Sequence, residues 1–443
     1  MAANMMELAR SLAGQLSAWR RDLHRWPELG FCEMLTSCRI ARTLTDLGFD
    51  QVLVGRDVCF GPGRMGLPSE EVLEEAYAQA AERGADPVFL AEMEGGFTGV
   101  VGILRCGEGP TVALRFDIDA LPIQESRDPE RLPVREGFVS EHPGVMHACG
   151  HDGHTAVGLG VAQVLAACRE QLHGTVKLLF QPAEEGVRGA KSMVENGHLD
   201  GVDYVLGAHV GACQPGEGPF VGVGSGGTLA TAKFDAVFTG KASHAGMAPQ
   251  EGRYAMLAAA TAVLNLFAIP RHGDAPTRIN VGKLTAGTGR NIVCDRAVLE
   301  LEVRGSTSEA NAYMAAYARQ ILEAAAAMHG CEVEIACVGA AERAENTPAL
   351  RSLVLETLAQ AGVPAREIDD GPEVSEDFSY FAKAVTDHGG QSCYYINLAQ
   401  AGAIHHPSFD FDEAALVQGV QAFCAVTARL LEAPQGASCG TAD

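Results

Sequence analysis

Positive charge is scarce in this chain. Its 443 residues carry 33 lysines and arginines against 56 aspartates and glutamates, a formal net charge of −23. A surface so acidic repels phosphate backbones and anionic lipid headgroups, so neither nucleic acid nor a membrane is an expected partner. An anionic substrate would need a few local arginines working against that field. Long apolar runs are also lacking. The longest stretch free of both charged residues and histidine, Tyr254 to Pro270, is interrupted by Thr261 and Asn265 and falls short of the ~20 residues of a membrane helix. The N-terminal run Met-Ala-Ala-Asn-Met-Met-Glu-Leu-Ala-Arg has charges where a signal peptide has its apolar core. The 13 cysteines contain no Cys-x-x-Cys pair and are odd in number, which fits free thiols in a reducing cytoplasm better than a disulfide framework. The remaining composition, 47% apolar and 20% charged, is that of a soluble globular protein, and the length predicts two or three domains.

Histidine is sparse too, at 14 residues, yet three of them crowd with a thiol into Met146-His147-Ala148-Cys149-Gly150-His151-Asp152-Gly153-His154. Sulfur and imidazole ligands at that density favour a zinc-class transition metal over calcium or magnesium. Gln181-Pro182-Ala183-Glu184-Glu185-Gly186, the isolated His209 and the pair His405-His406 add further ligand types of a hydrolytic metal site.

Apolar periodicity predicts a helix from Met5 to Arg25 and another from Leu35 to Leu47, ending at Gly48. Gly55 to Gly96 reads as an insertion, with a solvated helix starting at Pro68-Ser69-Glu70-Glu71 and stopping at Gly84. Apolar, β-branched runs follow at Gly99 to Leu104, Thr111 to Phe116, Thr175 to Phe180 and Asp203 to Val210, interleaved with helices such as Thr155 to Glu170. Strands alternating with helices imply an α/β fold: a mixed, mostly parallel sheet flanked by helices, with its site at the carboxyl ends of strands. Asp117 and Asp119, the glutamate pair, and His209 fall at such ends.

The pattern changes after Gly226-Gly227. Strand Thr231 to Phe238, helix Tyr254 to Ile269, strands Arg278 to Leu284 and Ala297 to Arg304, helix Ser308 to His329 and strand Glu332 to Val338 give the β-α-β-β-α-β order of a ferredoxin-like unit. We therefore expect an inserted α+β lid and dimerisation domain at 228–339, within a catalytic domain made of 1–227 plus 340–443. The tail from Pro434 reads as disordered.

A catalytic metal site needs fixed ligands, an open position for water and a nearby base. Cys149 and His151 can face one centre, with Gly150 bending the backbone between them. Of the adjacent Glu184 and Glu185, whose side chains diverge, one can bind metal while the other acts as base. His209 and His405 complete the shell. Cys149 paired with a histidine as a nucleophile is the rival chemistry. Lone histidines such as His198 and His272 carry no assigned role.

Beyond these readings, a set of ordered motifs resembles a known family. They are Arg20 to Phe31, Arg115-Phe116-Asp117-Ile118-Asp119-Ala120-Leu121-Pro122, His147 to Asp152, Pro182 to Gly186, Ser243-His244-Ala245-Gly246 and His405-His406-Pro407. They look like the amidohydrolase branch of the cocatalytic metallopeptidases, which includes aminoacylases, hippurate hydrolases and carboxypeptidase G. Within that branch Arg64 to Pro68, Glu94 to Gly99 and Gly289-Arg290-Asn291 resemble one of the subunit types of aminobenzoyl-glutamate hydrolase, while Ser375-Glu376-Asp377-Phe378 matches the general branch.

The resemblance implies two divalent metal ions, zinc or manganese with cobalt or nickel also acceptable, bridged by Cys149. His151 and His209 would hold one ion, and Glu185 and His405 the other. Glu184 would be the general base, Asp119 would support the site, and His244 would reach into the active site of the neighbouring protomer and stabilise the oxyanion. Asn291 and Arg304 look like contacts to the substrate amide and carboxylate, with Arg290 and Arg188 as further candidate cations. The expected enzyme is a cytoplasmic amidohydrolase of N-acyl amino acids, foremost p-aminobenzoyl-glutamate. It would work as a homodimer through the inserted domain or as a heterodimer with a related second chain. The alternatives are a general aminoacylase or dipeptidase, and a metal-binding subunit of a two-subunit hydrolase.

Overall fold

The computed structural model describes residues 2–225, 227–369 and 375–432. Among the described residues twelve strands form two sheets: β1 Gln51–Val54, β2 Val100–Arg105, β3 Thr111–Asp117, β4 Thr175–Gln181, β5 Tyr204–Ala212, β6 Phe220–Val223, β7 Ala230–Thr239, β8 Thr277–Ala286, β9 Arg296–Gly305, β10 Glu332–Ala341, β11 Ala365–Glu367 and β12 Gln391–Ala399. The larger sheet has the order β1-β2-β4-β3-β5-β12-β6-β11. Its centre, β4, β3, β5 and β12, is parallel, and the antiparallel pairs lie toward its edges at β1 with β2, β2 with β4, and β12 with β6. This is the mixed, mostly parallel α/β sheet expected from the sequence.

The central strands are buried on both faces, which is why they read as continuous apolar runs. On β3, Val112, Leu114 and Phe116 enter the core beneath helices His151–Ala167 and Ala414–Leu430, while Ala113 turns to a second core with Phe378 and Phe381 of helix Phe378–Thr386. Helix His151–Ala167 is buried along most of its length, so no polar stripe marked its borders.

The smaller sheet, order β10-β7-β9-β8, is antiparallel throughout. Alternate residues of β7 and β9, such as Phe234, Phe238, Leu299 and Val303, form a separate core with helices Ala255–Phe267 and Ser308–Met328. The second helix is capped by the Thr307 hydroxyl, which accepts from Ala310 N at 3.1 Å. The element order is the split β-α-β-β-α-β unit expected from the sequence.

Some details differ from the sequence reading. The first helix is two, Ala2–Ser11 and Ala13–Arg25, broken where Leu12 N bonds back three residues to Ala9 O. The four-residue strands β1 and β6 are too short to show a periodicity. In the 55–96 segment, helix Glu70–Glu82 keeps its acidic face in solvent but buries Leu73 and Ala80, which pack near Phe31 and Met34 respectively. The tail from Pro434 lies outside the described residues. No described helix is long and apolar enough to cross a membrane.

Candidate metal centre

The carboxyl ends of the central parallel strands converge on one edge of the large sheet. Asp117 ends β3 and Asp119 follows it, Ala183-Glu184-Glu185 follows β4, and His209 lies near the end of β5. Cys149 immediately precedes helix His151–Ala167. Gly150 between them adopts φ +94°, and a β-carbon there would lie 2.3 Å from Val210 Cγ1, so only glycine fits. His405 arrives after β12, with φ +57° and its N–H donated to Ala148 O at 2.7 Å, which anchors it one residue from Cys149.

Hydrogen bonds select the nitrogen that each imidazole offers. His209 Nδ1 lies 2.6 Å from Val210 O, a pure acceptor, so Nδ1 carries the proton and Nε2 presents its lone pair 3.3 Å from Cys149 Sγ. Burial lowers its pKa to about 3, so the ring is neutral. His151 Nδ1 bonds Asp119 O at 2.9 Å, while its Nε2 is buried with no hydrogen-bond partner among the described residues. Burial opposes a charge on His151, but the Asp117 charge and the Asp119 bond raise its pKa well above the usual value. A proton on Nε2 is one that a cation would displace. Glu185 Oε1 is the second such buried orphan, 3.5 Å from His405 Nε2.

These atoms form two candidate ligand groups, Cys149-His151-His209 and Cys149-Glu185-His405, which share the sulfur. Buried polar atoms without partners are costly, and here they converge with a thiol and imidazole nitrogens, a donor set suited to a transition ion. Three other groupings occur among the described residues: His151-Glu184-Glu185 brings Glu184 beside the same atoms, and in the remaining two most members are already hydrogen-bonded. In Asp117-His151-His154, His154 Nε2 accepts from Val210 N at 2.9 Å and Nδ1 faces Asp117 at 2.5 Å. In Glu184-Glu376-Asp377, Asp377 is bonded by Gln181 and the N–H groups of Gly189 and Ala190, and Glu376 by Arg115 and Tyr394.

The glutamate pair is fixed through its backbone. Asp119 Oδ1 accepts from Glu184 N at 3.0 Å and Oδ2 from Glu185 N at 2.9 Å. Glu33 accepts from Ala183 N at 2.7 Å. Ala183 and Val187 of the same loop both have positive φ, 50° and 61°. Glu184 is buried, and its carboxyl lies well above the usual range because of that burial and the charges of Glu376, Glu185 and Asp377. A nucleophilic Cys149 would need a thiol drawn down by an imidazolium. Burial outweighs the lowering effect of His151 and pushes this thiol up to about 12, and the His209 ring is neutral.

Other expected residues are placed elsewhere. His244 and Asn291 are brought together on exposed loops of the smaller unit by the Ala245 N to Asn291 O bond of 3.0 Å and the pairing of His244 with Ile292. His244 Nδ1 accepts from Gly246 and Met247, leaving Nε2 to carry the proton outward. Arg290 is exposed beside them. Arg304 on β9 is gripped by both oxygens of Glu302. Arg188 donates to Glu185 O at 2.8 Å and Gly66 O at 3.0 Å, joining the 55–96 segment to the glutamate loop.

Sequence reasoning missed the buried charge networks that carry these pieces. Arg115, fully buried, binds Asp117, Gln181, Glu376 and Asp377. An arginine inside the apolar run of β3 was the available signal. His24, also fully buried, bridges Asp152 and Glu125, and Arg20 binds Asp152, Asp410 and Glu413. His147 is buried with neither ring nitrogen bonded among the described residues, and burial holds its pKa down to about 4.

The family model for Peptidase family M20/M25/M40 matches residues 113–429. The chain belongs to this family. Among curated relatives of this M20 peptidase, indole-3-acetyl-aspartic acid hydrolase of Enterobacter agglomerans is 45% identical over 94% of the chain and 95% of that protein. One of the subunits of the p-aminobenzoyl-glutamate hydrolase of Escherichia coli is 44% identical over 94% and 96%. The solved aminobenzoyl-glutamate utilization protein of Klebsiella pneumoniae superposes with a TM-score of 0.82 at 38% identity, covering 96% of this chain and 97% of that one. A Bacillus subtilis M20 member described as a dinuclear metal binding peptidase gives 0.64 at 27%, covering 95% and 99%. The chain is thus a metal-dependent amide hydrolase of this fold.

Proposed function

We propose that the chain hydrolyses N-acyl amino acids whose amino-acid moiety is acidic, foremost p-aminobenzoyl-glutamate, to a carboxylic acid and the free amino acid. One observation carries this reading: His151 Nε2, buried with no hydrogen-bond partner among the described residues, and the buried Glu185 Oε1, which faces only His405, flank a thiol shared by two ligand groups, and a separate buried glutamate stands beside them. Cys149, His151 and His209 would hold one divalent ion, and Cys149, Glu185 and His405 a second, with zinc or manganese foremost and cobalt or nickel compatible with the same donors. When bound, such ions polarise a carbonyl and acidify water.

The chain's own groups do the rest. Glu184, kept out of the ligand groups around Cys149, takes a proton from the attacking water and returns it to the leaving nitrogen as the C–N bond breaks. Asp119 positions both glutamates. His244, with Nε2–H facing outward, is the donor to the oxyanion in the site of a neighbouring protomer. Asn291, Arg304 and Arg290 hold the substrate's amide and carboxylate. The two carbonyl bonds of Arg188 favour bracing the glutamate loop over touching substrate.

Residues 228–339 act as lid and dimerisation domain on a catalytic domain of 1–227 and 340–443, supported by the separate core of the smaller sheet. Helix Ala255–Phe267 leaves Leu264 75% and Phe267 49% exposed, a face suited to a second copy. The Escherichia coli relative, whose name makes it one subunit of its hydrolase, supports a heteromeric assembly as the alternative. The twelve described cysteines, all free, favour the cytoplasm.

Steady-state kcat/KM of the manganese- or zinc-loaded protein on N-acyl conjugates of glutamate, aspartate, alanine and leucine tests the reading. Preference for the acidic conjugates is expected. Preference for alanine or leucine would return the chain to the general aminoacylases.

A further inference from the structure

Two arginines near the glutamate pair are fully engaged, Arg115 by three carboxylates and Arg188 by two carbonyls. Lys233 on β7 is a third cation near the pair. Among the described residues it has no hydrogen bond, and no carboxylate lies within 4.0 Å of its nitrogen. It is half-buried and belongs to the face of the small sheet opposite that sheet's helices.

The register fixes where Lys233 stands. Its partner on β10 is Gly339, and a β-carbon built on Gly339 would sit 2.2 Å from Gly186 O and 3.4 Å from Lys233 Cδ. The lysine stem therefore lies over the point where β10 touches the residue after Glu185. The next residue, Ala340, donates to Val187 O at 2.9 Å and secures that contact. From here the ammonium feels first the charge of Glu302 and then those of Glu184 and Glu185, and its own charge reaches His405.

Across the same face Lys233 pairs with Glu302 on β9, and Thr231 with Arg304, so Lys233 and Arg304 are diagonal neighbours. Such neighbours stand about 7–8 Å apart at the backbone, within converging reach for long side chains. Four C–C bonds separate the two carboxyl carbons of glutamate by about 5 Å when extended. One carboxylate per cation is therefore compatible with the spacing.

We propose that the Lys233 ammonium takes the side-chain carboxylate of a dicarboxylic amino acid in the substrate and thereby sets the preference for glutamate and aspartate conjugates. The proposal rests on the acyl-amino-acid reading above, in which Arg304 and Asn291 hold the other carboxylate.

The test compares p-aminobenzoyl-glutamate with its neutral isostere p-aminobenzoyl-glutamine and with the alanine conjugate, in wild type, Lys233→Met and Lys233→Arg. Thermal melting and metal content check that the variants fold and load. A bond to a charged partner predicts that Lys233→Met lowers the glutamate-to-glutamine ratio of kcat/KM roughly 10- to 100-fold, mostly through KM. Lys233→Arg should restore part of it. If wild type prefers glutamate and Lys233→Met keeps that preference, the lysine assignment falls while the substrate reading stands. An equal loss on all three conjugates would also overturn it, placing the lysine at the shared carboxylate or the base. A wild type that favours alanine defeats the substrate reading itself.

Discussion

Replacing Asp119 by asparagine isolates how the glutamate pair is held. Asp119 presents two acceptor oxygens, one to Glu184 N at 3.0 Å and one to Glu185 N at 2.9 Å, and Oδ1 also lies 3.3 Å from His151 Nδ1. Asparagine keeps one acceptor and turns the other position into an NH2 group facing a backbone N–H. One buried bond to a charged acceptor is lost, about 1.5–3 kcal/mol, and a buried donor is left unpaired, about 1–3 kcal/mol. The loop bears this loss while Ala183 and Val187 are held in the left-handed region, a conformation costing on the order of 1–3 kcal/mol per residue when nothing enforces it. Relaxation of the loop would swing Glu185 away from Cys149. Asp119→Asn should therefore weaken transition-metal binding by roughly 10- to 100-fold, the usual consequence of losing a group that orients a ligand. It should also lower the urea midpoint of the metal-free protein. Competition titration against a chelator reads the first effect and fluorescence-monitored unfolding the second. Wild-type affinity in a folded Asp119→Asn protein would refute the reasoning.

Three further outcomes follow from the same geometry. Glu184→Gln should retain metal and lose roughly 10²- to 10⁴-fold in turnover, whereas Glu185→Gln should lose metal, and equal metal loss in both would contradict their division of labour. His24 faces a carboxylate through each nitrogen, at 2.8 and 3.1 Å, and although burial works against its charge, the bonds to Asp152 and Glu125 raise its pKa above 6.5. Its contribution is therefore full below pH 6.5 and lost as pH rises through the folded value, so as pH rises above 6.5 wild type should lose more stability than His24→Gln in chemical denaturation, and parallel curves would count against it. Gly150→Ala combines a left-handed φ with overlap on Val210 and should cost on the order of 2–5 kcal/mol, read as a lowered unfolding midpoint, with an unchanged midpoint as the contrary result.

What the sequence disclosed follows the physics of each element. The alternation of β7 and β9 was legible because one face is buried and the other open. The ligand candidates were legible because Cys149, His151, Glu185, His209 and His405 are rare types at strand ends. Which imidazole of helix His151–Ala167 stays open was not, since His151 and His154 differ only in whether Asp119 or the pair Asp117 and Val210 N meets them. The Arg115 cluster was hidden for another reason: Glu376 and Asp377 are 261 and 262 residues away, and only the folded sheet brings them to β3. Lys233 carried no motif and owes its place to the register of β7 against β10.

The contact of Gly339 on Gly186 has a mechanical meaning. The small sheet is connected to the rest of the chain through β7 and β10, and β10 is sewn by Ala340 N to the very loop that presents Glu184 and Glu185. A swing of that sheet has its fulcrum one residue from a proposed metal ligand. Opening and closing over a substrate would therefore tug on the glutamates with almost no lever arm, coupling access to the cleft with the aim of its base.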